Sequence, residues 1–159
     1  MKDHAMIETA VDFANLMLAA LLVGAMFAVW LTNNPAGLDA ATYVAQQQQS
    51  IRTLNTPLPV LGGVTILVTL IAAALARGDR TKLTLLLVAA AAFISAGLIT
   101  RFLNQPINAI VIGWKPDAPP ASWTALRDEW WRWHLLRLAA GLGGLALLFA
   151  AALKRDAAC

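Results

Sequence analysis

Four long runs of apolar residues, Phe13 to Leu31, Pro57 to Ala76, Leu83 to Thr100 and Leu138 to Leu153, constrain this chain more than any other feature. A helix rises about 1.5 Å per residue and needs roughly 20 apolar residues to cross about 30 Å of hydrocarbon. Each run approaches that length, and the buried helices of a water-soluble protein seldom do so four times over. The runs are continuous and not alternating, which disfavours strands, and an open sheet edge would leave backbone groups unsatisfied in lipid. Composition agrees, at 59% hydrophobic and 13% charged residues against roughly 25% charged in a soluble domain. The predicted fold is an all-α integral membrane four-helix bundle with transmembrane helices at about 11–32, 57–77, 82–103 and 133–154. An extra helical segment is expected in each of the two long connections, and a single domain over 1–159.

Asp3, Glu8 and Asp12 precede the first run and no small-residue cleavage site follows it, so it reads as a retained helix and not a secretory signal. The one cysteine, Cys159, excludes an internal disulfide or a Cys-rich metal cage, and is misplaced for prenylation. Lys2, Arg77, Arg80, Lys82, Lys154 and Arg155 flank the N-terminus, the short second loop and the C-terminus, which share one side of a four-span chain. The positive-inside rule therefore predicts cytoplasmic termini, and the expected setting is a bacterial inner membrane. Arg52, Arg101, Lys115, Arg127, Arg132 and Arg137 lie toward the other side and weaken that bias. They sit among tryptophans at membrane depth, so nucleic acid is not an expected partner.

The other two connections carry most of the information. One opens on Asn33-Asn34-Pro35 and runs through Tyr43, Gln46 to Gln49 and Arg52; the other opens on Asn104-Gln105-Pro106-Ile107-Asn108 and runs through Trp114 and Trp123. The shared Asn-x-Pro start suggests duplication of a two-helix unit about an axis along the membrane normal. Trp123, Arg127, Trp130, His134 and Arg137 are spaced four, three, four and three, which makes one stripe on a helix face. Gly141 and Gly144 continue that face, and such small residues let a second helix approach closely in lipid. The stripe is therefore predicted to face the bundle interior.

Each of these residues has a plainer reading. Arg101 and Arg137 could snorkel, with stems on apolar surface and heads in water, and the tryptophans could form an interfacial belt. The belt is preferred for Trp114, Trp131 and Trp133, whereas Trp123 and Trp130 share the register of Arg127 and His134. Histidine ordinarily titrates near neutral pH and moves protons, which singles out His134 unless it is a satisfied structural residue. A second polar line, His4, Glu8, Asp12 and Asn15, has helical spacing that would suit a metal. Helix-dipole complementarity explains its acids adequately, and no metal is predicted.

Leu103 to Asn108 after the third run, followed by Trp123, Arg127, Trp130, His134 and Arg137 before the fourth, resembles the anthrone-oxygenase-like family of small four-helix membrane proteins. The stretch from Tyr43 to Arg52 is compatible, while the N-terminal segment and the four-Gln run have no counterpart in the pattern. The resemblance implies oxygenation of an anthrone-like phenolic ring to a quinone by dioxygen, with no cofactor. Such chemistry calls for a base, cations for an enolate oxygen and a flat apolar slot. His134 is the candidate base, with Arg127 and Arg137 as anion stabilisers. Trp123 and Trp130 would be stacking walls, and Asn104, Asn108 and Arg101 would contact substrate. The expected partners are the bilayer and an apolar small molecule arriving from it, with a homo-oligomer left open.

Two other classes compete. A small proton-coupled transporter would need an acid within the membrane, whereas Glu8 precedes the first run and Asp12 borders it. A non-catalytic structural or assembly subunit would use His134 for stability alone.

Overall fold

The computed structural model describes residues 2–154, with side chains from residue 5 onward, so Arg155, Cys159 and the side chain of His4 lie outside the described residues. The elements are α1 (Lys2–Thr32), α2 (Ala40–Leu54), α3 (Pro57–Leu75), a 3-10 turn (Ala76–Gly78), α4 (Arg80–Ile99), a π turn (Thr100–Asn104), α5 (Gln105–Val111) and α6 (Trp123–Ala152). Strands are absent among the described residues. Four stretches, Ala5–Thr32, Pro57–Gly78, Arg80–Val111 and Trp123–Ala152, are long and apolar enough to cross a membrane. The chain is an all-α integral membrane protein, as the apolar runs require.

The spans form a ring in which α1 packs on α3 and α6, and α4 packs on α3 and α6. Small side chains hold the ring tight: Ala19, Ala72, Ala73, Ala89 and Ala151 join Leu86, Phe93 and Leu148 in the core. Many large apolar residues, such as Phe13, Leu67 and Leu98, instead point outward. A lipid-facing exterior inverts the pattern of a soluble bundle, because helices associate there by close packing and interhelical hydrogen bonds. One such bond joins Thr69 Oγ1, the donor, to Asn15 Oδ1 at 2.8 Å between α3 and α1, with both residues buried.

Gly141 and Gly144 serve the close approach that their positions predict. A Cβ on Gly144 would lie 2.9 Å from the Phe93 ring, and one on Gly141 would lie 2.6 Å from Met26 Cε. A phenyl ring in a packed core yields less readily than the end of a methionine. Gly144→Ala is therefore expected to destabilise the bundle by about 1–3 kcal/mol and Gly141→Ala by clearly less. Unfolding midpoints of the two variants in one detergent test this, and equal shifts would remove the explanation.

At the tight-turn end, Asp79 caps α4 by accepting from the backbone N–H of Thr81 at 3.0 Å and of Lys82 at 3.1 Å. Lys154 donates to its other oxygen, and that bond, followed by the Lys82 N–H, holds the Asp79 carboxyl below its ordinary range. A lowered folded value contributes stability that is complete above the unfolded pKa of about 4 and lost as pH falls through the folded value. Asp79→Asn should thus melt below the parent at neutral pH, with the gap closing as pH drops below about 4. A gap independent of pH would count against the charge. Asp12, the acid considered for proton coupling, accepts from Lys82 Nζ at 2.5 Å at this same end.

The two long connections meet at the opposite end, where α2 packs against α5. Asn33-Asn34-Pro35 ends α1 in a turn, with Asn34 Oδ1 accepting from Ala36 N–H at 3.0 Å and Gly37 at φ 78°. Asn104-Gln105-Pro106 does not break its helix. Pro106 has no N–H to give, and the chain absorbs the mismatch in the π turn, where Gln105 N–H bonds Thr100 O. The third span thus runs on to Val111, and the last helix starts at Trp123, ten residues before the expected crossing at 133. The extra helix expected in the second connection is therefore α5 fused to α4, with the following stripe continuous with α6. The four-Gln run ties this end together: Gln46 Nε2 donates to Thr32 O at 2.7 Å, and Gln48 Nε2 to Val111, Ile112 and Trp114 carbonyls at 3.1, 3.3 and 2.8 Å. Those carbonyls lie at the end of α1 and at and just beyond the end of α5, where the helical hydrogen-bond ladder runs out.

Candidate functional site

The unbroken α6 keeps the predicted register, and Trp130, His134, Arg137, Gly141 and Gly144 are all buried along one face. Arg137 does not snorkel. It is 9% exposed and turns its guanidinium into the bundle. Its Nε and Nη2 fork onto His134 Nδ1 at 3.2 and 3.0 Å, and its Nη1 donates to Thr100 Oγ1 at 3.2 Å. The guanidinium carbon also stands 5.9 Å from the centre of the Trp130 ring. Every one of these partners is neutral, and among the described residues the ion pairs Lys82–Asp12, Arg127–Asp128 and Lys154–Asp79 all lie elsewhere. A buried cation without a carboxylate is expensive, and an anionic ligand would relieve that cost.

His134 is fully buried behind this guanidinium. Accepting at Nδ1 makes it a neutral ring protonated at Nε2, and Nε2 has no partner of normal geometry, although the Met26 backbone of α1 lies beside the ring. Trp130 stacks on it at 5.3 Å and 4°, and Trp131, expected only in the interfacial belt, at 5.4 Å and 26°. His134 lines neither of the cavities that Arg137 reaches.

Those cavities meet at Arg137, Thr100, Leu58 and Pro59. The smaller, about 40 Å³, is the more polar of the two: Gln47, Ser50, Asn55, Asn108, Thr100 and Trp130 contribute to its wall beside Val29, Ile51 and Leu54. Asn108 organises it, accepting from Trp130 Nε1 at 2.8 Å and Gln47 Nε2 at 3.3 Å and donating to Asn55 Oδ1 at 2.9 Å. The larger, about 200 Å³, is mostly apolar, lies between α3 and α4, and has Arg101 and Gln105 on its wall. Arg101 is exposed and donates to Gln105 Oε1 at 3.3 Å. Asn104 lines neither: it is wholly buried and donates to Trp130 O at 3.0 Å, clamping the π turn to α6, with Oδ1 unpartnered.

The structure thus brings Arg137, Trp130 and Asn108 to one place, with Arg101 in the adjoining cavity, and leaves Trp123 and Arg127 apart. Ten residues of helix put Arg127 about 15 Å along the axis from Arg137. Arg127 pairs with Asp128 at 2.7 Å and lies over the Trp123 ring at 4.9 Å. Trp123 in turn meets the Tyr43 ring at 5.5 Å. Burial pushes the Tyr43 hydroxyl up to about 12, partly offset by Arg127, so it remains a neutral phenol.

Thr100 and the α2 face formed by Gln47, Ser50, Ile51, Leu54 and Asn55 went unassigned in the sequence. The latter follow helical spacing, so α2's register carried the signal. Thr100 gave none, because its aim depends on the π turn.

The sequence profile described as Anthrone oxygenase matches residues 50–147, a stretch that takes in Thr100, Asn108, Trp130 and Arg137. Neither a curated protein nor a solved structure matches the chain. With well over half of its length matched, and with the motif residues of the resemblance inside that stretch, the chain belongs to the anthrone oxygenase family.

Proposed function

We propose that the protein is a membrane oxygenase that converts the ring methylene of an anthrone-type hydroxyarene to a carbonyl with dioxygen. Arg137 carries this reading, as a guanidinium buried among neutral partners where a mostly apolar cavity meets a smaller one with more polar groups on its wall. An enolisable ketone placed there loses a ring C–H proton to water, and the electron pair spreads onto the oxygen facing Arg137 and Thr100. The electron-rich ring passes one electron to dioxygen, the two radicals join at the ring carbon, and a proton completes a hydroperoxide. Loss of water from the hydroperoxide, using the remaining C–H proton, leaves the carbonyl. The sum is CH2 plus O2 giving C=O plus H2O, with no bound cofactor in the scheme.

In this scheme Arg137 stabilises the anion that develops as the ring C–H proton leaves. Trp130 and Asn108 contact the substrate from the polar side, and Arg101 stands in the larger cavity. His134 acts as a positioning residue, because its Nδ1 lone pair is engaged by Arg137. Trp123 and Arg127 take an interfacial role beside Tyr43. The bias of Arg77, Arg80 and Lys82 supports placing the Asp79 end in the cytoplasm.

Purified protein in lipid nanodiscs, given anthrone under air, should produce quinone absorbance faster than protein-free nanodiscs and consume one dioxygen per quinone. A rate no greater than that of empty nanodiscs overturns the proposal.

A further inference from the structure

Glycines in membrane helices usually mark close helix contact, and Gly141 and Gly144 do so here. Five others do not: Gly24 and Gly143, which meet nothing within 4 Å and line neither cavity, and three that lie together. A Cβ on Gly63 would meet nothing within 4 Å, one on Gly97 only Ile66 Cδ1 at 4.0 Å, and one on Gly62 only Leu22 methyls at 3.9 and 4.0 Å. Packing therefore does not require glycine at these positions, although glycine inside a helix costs about 0.5–1 kcal/mol relative to alanine. All three line the 200 Å³ cavity, two on α3 and one on α4, and Gly63 and Gly97 are exposed on the lipid-facing surface. Their missing side chains leave a slot between α3 and α4, with Arg137 among the residues that line the same cavity.

We infer that this slot is a lateral portal for a planar aromatic acid dissolved in the bilayer, which passes between Gly63 and Gly97 with its acidic oxygen leading and binds as its anion at Arg137. The inference rests on the reading of Arg137 given above. The wall chemistry sets the ligand class. Ile66, Phe93 and Ala96 offer the ring nothing but apolar contact, while the Arg137 guanidinium keeps N–H groups beyond those given to His134 and to Thr100, whose own hydroxyl donates to Ala96 O at 2.8 Å. Away from the exposed Arg101 on the same wall, a second charged group would have to be desolvated among those apolar residues. On binding, the ligand's O–H proton leaves to water and no electron is transferred.

The test uses full-length protein in nanodiscs with 2-naphthol as the probe, whose neutral and ionised forms differ in absorbance and fluorescence. The parent should bind it with the naphtholate form appearing at least one pH unit lower than in empty nanodiscs. Gly63→Leu and, from the facing wall, Gly97→Leu should slow association at least tenfold, while Gly24→Leu on the outer face of α1, away from both cavities, should leave it unchanged. Association should follow the mole fraction of probe in the lipid and not its aqueous concentration. Parent-like rates in both slot variants, a dependence on aqueous probe alone, no binding by the parent, or a naphtholate shift that persists in Arg137→Gln would each overturn the portal. Naphthol binding that obeys these expectations while anthrone yields no quinone would sustain the portal and sink the oxygenase reading.

Discussion

Arg137→Gln is expected to lower kcat/KM for anthrone oxygenation by about 10²–10³-fold, the usual effect of removing one preorganised group at a developing oxyanion, while leaving the bundle at least as stable as the parent. The two effects have one cause. The guanidinium is buried with His134, Thr100 and the Trp130 face for company and no carboxylate, so its charge is a burden on the empty protein. Replacing buried charge with a well-packed neutral group is often neutral or stabilising. Glutamine retains an amide to bond His134 Nδ1 or Thr100 Oγ1, which limits the loss to the charge itself. Arg137→Lys should recover only part of the rate, because an ammonium lacks the planar fork that engages both neighbours at once. Quinone formation and an unfolding midpoint, measured on the same nanodisc preparation, decide the matter. Near-parental activity in Arg137→Gln would remove the anion site, and a collapse in stability would make Arg137 a structural residue.

His134→Leu and His134→Asn should separate sharply. Leucine leaves Nε and Nη2 of Arg137 with no acceptor, at about 1–3 kcal/mol for each unsatisfied group, so both stability and activity should fall and the rate should drop at least tenfold. Asparagine places Oδ1 near the position of Nδ1 and can accept the same fork. His134→Asn should therefore retain most of the parent kcat, with the larger change in KM as Arg137 shifts slightly. An amide cannot remove a proton from carbon. If His134 were the base, both variants would be equally inactive, and that equality in kcat is the outcome that would restore histidine to the chemical step.

Much of this architecture follows from short-range rules. The lengths of the four apolar runs demanded four crossings. The spacing of Trp130, His134 and Arg137 demanded that they share a face, and the two glycines below them demanded a close neighbour, which Met26 and Phe93 supply. These inferences hold because helical periodicity is local and lipid leaves the backbone few alternatives. The same periodicity misleads along the axis. Arg127 shares the angle of Arg137 but lies about 15 Å along the helix from it, among Trp123, Tyr43 and Asp128.

What only the tertiary structure decided is which groups surround the buried cation. Thr100 reaches Arg137 because one π turn, made where Pro106 withholds an N–H, redirects the end of α4. Gln47 and Asn55 reach Asn108 because α2 folds back over α5, held by the Gln46 and Gln48 side chains on carbonyls at and just beyond the ends of α1 and α5. Run length and periodicity specify how many helices there are and which angle each side chain takes about its own axis. Contacts between residues 37 and 61 positions apart, such as Thr100 with Arg137 and Gln47 with Asn108, depend on how helices slide and rotate against one another, and packing alone sets that.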